Sequence, residues 1–194
     1  MIDLLRIGFE QITADELGTA LRRHAGDAAG EDVDRLAGML EGYLRTVPDA
    51  LEAALAMSKD LHCGRAVAFA TGTILTYLFD EEDLLPEAAY GTIGMLDDAY
   101  LVHGFVDSLR RMYPYAAPPI AYEAPDARTS EVVAAVLPEG VAESLLRTCE
   151  STIQVAQALF PSRQGAGTGD VPFEPKLRVA DGVAAAASTS TASA

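Results

Sequence analysis

The chain has 194 residues, of which 49% are hydrophobic, and its 29 acidic and 14 basic residues give a formal charge of −15. This length and apolar fraction suit one globular domain with tails. The negative charge repels nucleic acid and anionic lipid headgroups over most of the surface, which argues against nucleic-acid binding.

The cysteines and the N-terminus indicate a cytoplasmic protein. Cys63 and Cys149 lie far apart within apolar helical patterns and lack the paired spacing of a metal knuckle or a redox motif. We therefore expect two buried, reduced thiols. Residues 1–16 carry acids where an export signal needs a basic start and a long apolar run. The longest weakly polar run, residues 66–79, is shorter than the about 20 residues that a membrane span requires.

The N-terminal third predicts a series of amphipathic helices. Residues 1–12 are apolar enough to pack but too short to assign. Thr13 and Glu16 have the spacing of a capping box, which predicts the start of a short helix. After a turn rich in Gly and Asp, apolar residues recur at helical spacing over residues 33–47. Pro48 then suits the first turn of the next helix.

Residues 64–79 are apolar or small around almost the whole of a helix axis. A helix with this composition is buried in a bundle or in lipid. The small residues Gly64, Ala68, Gly72 and Thr76 would let neighbouring helices approach closely. We therefore expect residues 64–79 to form a central helix that the bundle surrounds.

The stretch from Tyr77 to Tyr100 combines residues that are unusual together. It contains a tyrosine, a short acidic spacer, then Asp83-Leu84-Leu85-Pro86-Glu87, Gly91, Gly94 and Leu96-Asp97-Asp98-Ala99-Tyr100. This order and spacing resemble the YkvA-like family of small bacterial proteins, a domain of unknown function. The resemblance extends more loosely over residues 44–112. It implies a compact helical fold, sometimes with membrane association, and no agreed activity or catalytic residue.

The chain departs from the pattern of that family at two places. Glu81-Glu82 stand where many relatives have Ser-Pro, and Ala89-Tyr90 replace a second Ile-Pro. The first departure makes the turn more acidic than is usual in the family. The second is similar to a subgroup in which two glycines follow the Pro-Glu pair.

Two interpretations of these acidic residues remain open. In the first, Pro86 and the glycines turn the chain between two buried helices, and Asp97 and Asp98 occupy the positive first turn of the second helix. In the alternative, Asp83, Glu87, Asp97 and Asp98 converge on a divalent cation or form an acid/base pair. Because Asp97 and Asp98 differ by about 100° around a helix axis, they cannot both point squarely at one ion unless one of them lies at the helix cap. Structural capping is therefore preferred.

The remaining candidate groups favour structural roles. His24 follows two arginines and is expected at the surface, and His62 is expected at a helix boundary. His103 shares a helix face with Asp107 rather than with either acid of the motif. No nucleophile elbow, phosphate loop or zinc-protease motif is present in the sequence.

The C-terminal part predicts two more helices and a tail. Residues 113–128 are rich in Pro, Ala and Tyr, so they are expected to form a connector packed by its aromatics, with an exposed recognition segment as the alternative. Ser130 is expected to cap a short helix, and Pro138 to open a longer one that ends near Phe160. Apolar or small residues recur by four and three along this longer helix and predict a narrow seam of Val141, Leu145, Cys149, Thr152, Ala156 and Leu159. Residues 161–194 are expected to be a disordered tail, in which residues 171–179 have the layout of a docking peptide.

Together these patterns predict an all-α protein. Its domain of about six to seven helices is expected over residues 13–160, around a buried central helix. We interpret it as a non-catalytic helical interaction or scaffold protein that needs no cofactor and acts through a protein partner or through itself. The alternatives are a divalent-metal-binding protein or metal-dependent hydrolase, and a peripheral membrane protein.

Overall fold

The computed structural model describes residues 2–25, 32–79, 85, 90–114, 116 and 122–161. This part of the chain contains α-helices and no strand, so the predicted all-α fold is confirmed. All the described helices belong to one compact unit, Met1–Gln164. The predicted tail lies outside the described residues from residue 162 onward. The α-helices are α1 (Ile2–Glu10), α2 (Ala14–Ala25), α3 (Val33–Arg45), α4 (Val47–Met57), α5 (Gly64–Leu78), α6 (Met95–Met112), α7 (Ala127–Val136) and α8 (Val141–Leu159).

Helix α6 is the interior helix of the bundle. It follows directly on a 3-10 helix, Gly91–Gly94, and packs against α3, α4, α5, α7 and α8. Its buried residues surround the helix axis and include polar side chains. The structure therefore has a buried central helix, as expected, but this helix is α6 and not the helix predicted over residues 64–79. The buried residues of α6 are Leu96, Asp97, Asp98, Ala99, Tyr100, Leu101, Val102, His103, Phe105, Val106, Ser108 and Leu109.

Helix α5 is not the interior helix that the sequence suggested. Its inner face, including Val67, Ala70 and Ile74, is buried, while a stripe on the opposite side is exposed. The prediction was wrong because Ala, Gly and Thr fit equally well at a buried and at an exposed helix position. A composition that is weakly polar all round therefore does not identify the face that is covered.

Gly64 is needed where α4 turns into α5. A Cβ added to this residue would clash with the backbone carbonyl oxygen of Ser58, which lies at the end of α4. The Gly64 amide donates a hydrogen bond of 2.9 Å to the carbonyl oxygen of Asp60. The close approach of two backbone segments, rather than an unusual φ angle, explains this glycine.

Several helix starts follow the local signals in the sequence. The amide of Thr13 donates to Glu16 Oε2 at 3.1 Å and the amide of Glu16 donates to Thr13 Oγ1 at 3.3 Å, so the capping box is confirmed. Pro48 lies in the first turn of α4, as expected. Within the segment 1–12, which the sequence left unassigned, Ile2–Glu10 form α1, which packs on α4 and α3.

Two helix starts near the C-terminus differ from the predictions. Helix α7 begins before Ser130, because the carboxylate of Asp126 accepts a hydrogen bond of 2.7 Å from the amide of Thr129. Helix α8 begins after Pro138, because Gly140 has a φ of 81° and is followed by the first helical residue. That left-handed conformation suits glycine.

We predict that Gly64→Ala lowers the free energy of unfolding by about 1–3 kcal/mol, because the new methyl group overlaps a backbone oxygen that cannot easily move. The matched control is Gly38→Ala in α3, where an added Cβ meets nothing within 4 Å. This exposed substitution should raise stability by about 0.5–1 kcal/mol through helix propensity. Equal effects of the two substitutions in denaturant unfolding would contradict the packing described at Gly64.

Candidate functional site

The structure places two of the four predicted acidic site residues. Asp97 and Asp98 lie in the first turn of α6, which is the position that the sequence predicted. The amide of Asp98 donates a hydrogen bond of 2.9 Å to Asp97 Oδ1. Both residues are buried, with 0% and 8% of their surface exposed. Asp83 and Glu87 lie outside the described residues.

The hypothesis of a metal site at this motif stays a prediction. Within the described ranges, no group of three His, Cys, Asp or Glu residues could hold a metal ion. Because Asp83 and Glu87 fall outside those ranges, the four-carboxylate set is not tested. Leu85 is described and is only 1% exposed, so this part of the motif supplies an apolar anchor to the core.

A buried polar cluster centres on His103 of α6. Its Nδ1 lies 2.6 Å from the Tyr122 hydroxyl, and its Nε2 lies 3.1 Å from the Tyr43 carbonyl oxygen and 3.3 Å from Thr46 Oγ1. A carbonyl oxygen can only accept, so Nε2 carries the proton and Nδ1 accepts from Tyr122. Both ring nitrogens are therefore engaged in holding α3 and residue 122 against α6.

Tyr122 is held from a second side by Arg110. The guanidinium donates a hydrogen bond of 2.8 Å to the Tyr122 carbonyl oxygen, and its carbon lies 4.7 Å from the centre of the Tyr122 ring. The rings of Tyr122 and Tyr113 are buried. For its described residues, the segment 113–128 thus packs through its aromatics, as predicted.

Burial determines the electrostatics of this cluster. It lowers the pKa of His103 from 6.5 to about 4, partly offset by the hydrogen bond to the Tyr43 backbone. Burial also raises the pKa of the Tyr43 and Tyr122 hydroxyls well above 10. The cluster is therefore neutral around His103 at physiological pH and serves as an interior clamp.

The spacing of apolar residues could have predicted that His103 is buried, but the comparison of its helix face with those of Asp97 and Asp98 did not use this spacing. This residue follows Ala99 by four positions and precedes Val106 by three, which is the spacing of the buried stripe. His62, in contrast, is exposed in the turn before α5, where its amide donates to Asp60 Oδ1 at 2.7 Å. The side chain of His24 lies outside the described part of the structure.

Both cysteines are buried and reduced, as predicted. Burial raises the pKa of the Cys63 thiol to about 11 and that of Cys149 to about 12. The Cys149 thiol lies 3.3 Å from the carbonyl oxygen of Leu101, to which it donates. Because the thiolate is the nucleophilic form, neither side chain is activated for attack at neutral pH.

One exposed helix face has few charges. We call it the outer α5 face, and it consists of one stripe along α5 and its C-terminal cap. Phe69 is 40% exposed and Phe79 is 54% exposed. The stripe contains one charged residue, an arginine, and no carboxylate. Its members are Arg65, Ala68, Phe69, Gly72, Thr73, Thr76 and Phe79.

The neighbouring end of α8 extends this region without carboxylates. The Phe160 ring lies 5.7 Å from the Phe69 ring and 4.9 Å from the guanidinium carbon of Arg65. Residues 61–79 and residues 151–169 contain no Asp or Glu. Most of the large exposed apolar side chains in the described structure belong to these two segments, namely Leu61, Phe69, Phe79, Val155 and Leu159.

The predicted apolar seam of α8 is largely confirmed. Leu145, Cys149, Thr152 and Ala156 are buried against the bundle. Leu159 was placed on the same seam but is 57% exposed. Helix α8 ends at this residue.

Among the described residues, no helix is both long enough and apolar enough to cross a membrane. Comparisons with protein-family models, curated proteins and solved structures found no match. The resemblance to the YkvA-like family therefore stays a prediction that rests on the motif between Tyr77 and Tyr100.

We predict that His103 makes stability depend on pH. The unfolded chain binds a proton on this side chain below pH 6.5, whereas the folded protein does so only near pH 4. Its contribution is therefore complete above pH 6.5 and is lost as the pH falls toward 4. Between pH 7 and pH 5 the wild type should lose about 1–2 kcal/mol more unfolding free energy than His103→Gln.

The control for this measurement is His62→Gln, which removes an exposed imidazole. We expect its pH profile in denaturant unfolding to follow that of the wild type. Parallel profiles for the wild type and His103→Gln would contradict the buried neutral imidazole.

We also predict the outcome of Asp97→Asn. If Asp97 stabilises the helix start, the substitution should cost about 0.5–2 kcal/mol equally in EDTA and in Mg²⁺. The control is Asp15→Asn, which removes an exposed acid from the first turn of α2. A stabilisation by Mg²⁺ that disappears in Asp97→Asn, with unchanged stability in EDTA, would instead support a cation site.

Proposed function

We propose that this chain is a non-catalytic helical interaction protein of the cytoplasm, and that the outer α5 face is its binding surface. The observation that carries the proposal is the exposure of Phe69 and Phe79 on a stripe without carboxylates. Exposed apolar side chains grouped on one surface are typical of contact sites for other proteins.

The charge distribution supports the choice of this face. The chain carries a net charge of −15, so most of its surface repels other acidic proteins. The outer α5 face lacks acids, and the adjoining residues 151–159 of α8 lack them as well. On the described surface, a protein partner would therefore meet exposed apolar side chains and no carboxylate at the same place.

The state of the reactive groups supports a role without catalysis. His103 uses both ring nitrogens in the core, and burial keeps the thiols of Cys63 and Cys149 protonated at neutral pH. Two reduced, buried cysteines also agree with the reducing environment of the cytoplasm.

Photochemical cross-linking from the proposed surface tests this function. We would replace Phe69 by p-benzoylphenylalanine and irradiate the full chain in extract of its source cells. The matched control carries the same residue at Met112, which is 42% exposed against 40% for Phe69, but lies at the end of α6. We expect a discrete adduct from position 69 and none from position 112.

Competition makes the cross-link specific. An excess of unlabelled wild-type chain should abolish the adduct. An excess of the Phe69→Asp chain should not, because burying the new carboxylate in an apolar contact is unfavourable. No adduct from position 69 beyond that from position 112 would overturn the proposed function.

A further inference from the structure

The residues from Tyr122 to the end of α7 are held to the bundle by few buried side chains. We call residues 122–136 the Tyr122 segment. Among them, Tyr122 and Val133 are buried and the others are partly or fully exposed, whereas α6 is buried along most of its length. Helix α7 has 10 residues and packs on α3 and α6, and an isolated helix of this length is marginal in water. Separation of this segment from the bundle therefore exposes little apolar surface and costs much less than global unfolding.

Tyr122 is the residue through which this segment reaches the polar cluster in the interior. Its hydroxyl donates to His103 Nδ1 at 2.6 Å, and the two rings are nearly parallel, with an angle of 7° between their planes. His103 is 4% exposed, and its Nε2 donates to the Tyr43 carbonyl oxygen of α3 at 3.1 Å. The neutral imidazole thus presents an acceptor to the hydroxyl of the segment and a donor to the backbone of α3.

A second proton on His103 would remove this match. Nδ1 would become a donor that faces the Tyr122 hydroxyl, and the hydroxyl proton would lose its acceptor. The imidazolium would also be a charge in the core, and burial already lowers the pKa of His103 to about 4. Movement of Tyr122 away from the ring would let water bind Nδ1, which relieves both costs.

The charged side chains around Tyr122 in the described structure do not give an imidazolium a buried partner. Besides burial, the groups that shift the pKa of Tyr122 are Arg110 and Asp107 of α6 and Asp49 of α4. Arg110 repels a second positive charge, Asp107 is exposed, and Asp49 forms an ion pair of 3.0 Å with Arg6. Opening of the segment is therefore the way in which the structure can accept the proton without burying the charge.

The other titratable groups near the cluster are neutral or lie in water. Burial raises the pKa of the Tyr43 hydroxyl of α3 and of the Tyr100 hydroxyl of α6, so both stay protonated at neutral and acidic pH. The charged residues of the Tyr122 segment are all exposed, namely Glu123, Asp126, Arg128 and Glu131.

We propose that the contact between His103 and Tyr122 is an acid-sensitive switch: when His103 takes up a proton, the Tyr122 segment separates from α3 and α6 while the other helices stay folded. This opening differs from a loss of global stability, because one part of the chain moves away from an intact bundle. It exposes the surface of α3 and α6 that α7 covers at neutral pH. The inference does not depend on the outer α5 face.

The size of the effect follows from the two states of the imidazole. In the closed structure the pKa of His103 is about 4, and in the open segment it returns to 6.5. Opening therefore takes up a proton, so its equilibrium constant is nearly unchanged above pH 6.5 and rises by up to about tenfold per pH unit below it. Between pH 7 and pH 5 the open population should increase by about 20-fold.

Hydrogen exchange of the full chain at pH 7 and pH 5, in low concentrations of denaturant, tests the switch. After correction for intrinsic exchange rates, the protection of amides in residues 122–136 should fall by about 20-fold in the wild type and change little in His103→Gln. At pH 5 their exchange should not depend on denaturant, whereas that of α8 should, because global unfolding exposes much more surface. His62→Gln, which removes an exposed imidazole, should behave like the wild type. Circular dichroism confirms that each variant is folded.

Two results would overturn the proposal. The first is that the Tyr122 segment and α8 exchange at the same rate at pH 5 with the same dependence on denaturant, since the segment would then open only in global unfolding. The second comes from the full pH profile of the wild type, which needs no variant. Loss of protection should begin near pH 6.5 if His103 is responsible. A loss that begins only below about pH 5 would indicate carboxylates instead, such as Asp126 at the start of α7.

Discussion

The burial of α6 is the constraint on which the rest of the structure depends. A helix that is buried along most of its length must pack tightly and must satisfy every polar group that it takes into the core. Gly104 meets the first requirement, since an added Cβ would lie 2.9 Å from Leu146 Cδ2 of α8. His103 meets the second by bonding to Tyr43 and Tyr122. These contacts bring α3, α8 and the segment at Tyr122 onto one helix.

This interior position of α6 determines what is left for α5. Because α6 occupies the centre, α5 belongs to the outer layer and covers the core with only one face. Its other face combines Phe69 and Phe79 with small residues and a single charged one, Arg65. The same sequence that looked like a core helix thus leaves one face of α5 exposed. In our proposal, the interior position of α6 leaves the outer α5 face exposed, and this face is the binding surface.

Much of the fold could be predicted from local signals. The capping box at Thr13, the proline at the start of α4 and the period of α3 each act within a few residues, so sequence spacing was sufficient. The choice between α5 and α6 as the interior helix could not be made in this way. It depends on how neighbours cover each helix, and Ala, Gly and Thr are compatible with both environments. The start of α8 similarly depended on the backbone of Gly140 and not on Pro138.

The candidate site shows the same division. Asp97 and Asp98 were expected in a helix first turn and are found there, because the spacing after Gly94 is a local property. Their burial was not expected, since it comes from the helices that surround α6. The clamp of His103 and Tyr122 joins residues 19 positions apart across a proline-rich segment, and no local pattern specifies that pairing.

Hydrogen exchange, measured peptide by peptide, tests most directly whether α6 is the interior helix and α5 lies in the outer layer. We expect the amides of α6 to exchange most slowly and those of α5 to exchange faster, because one face of α5 is exposed. An α6 that exchanges as fast as α5 or faster would contradict this arrangement.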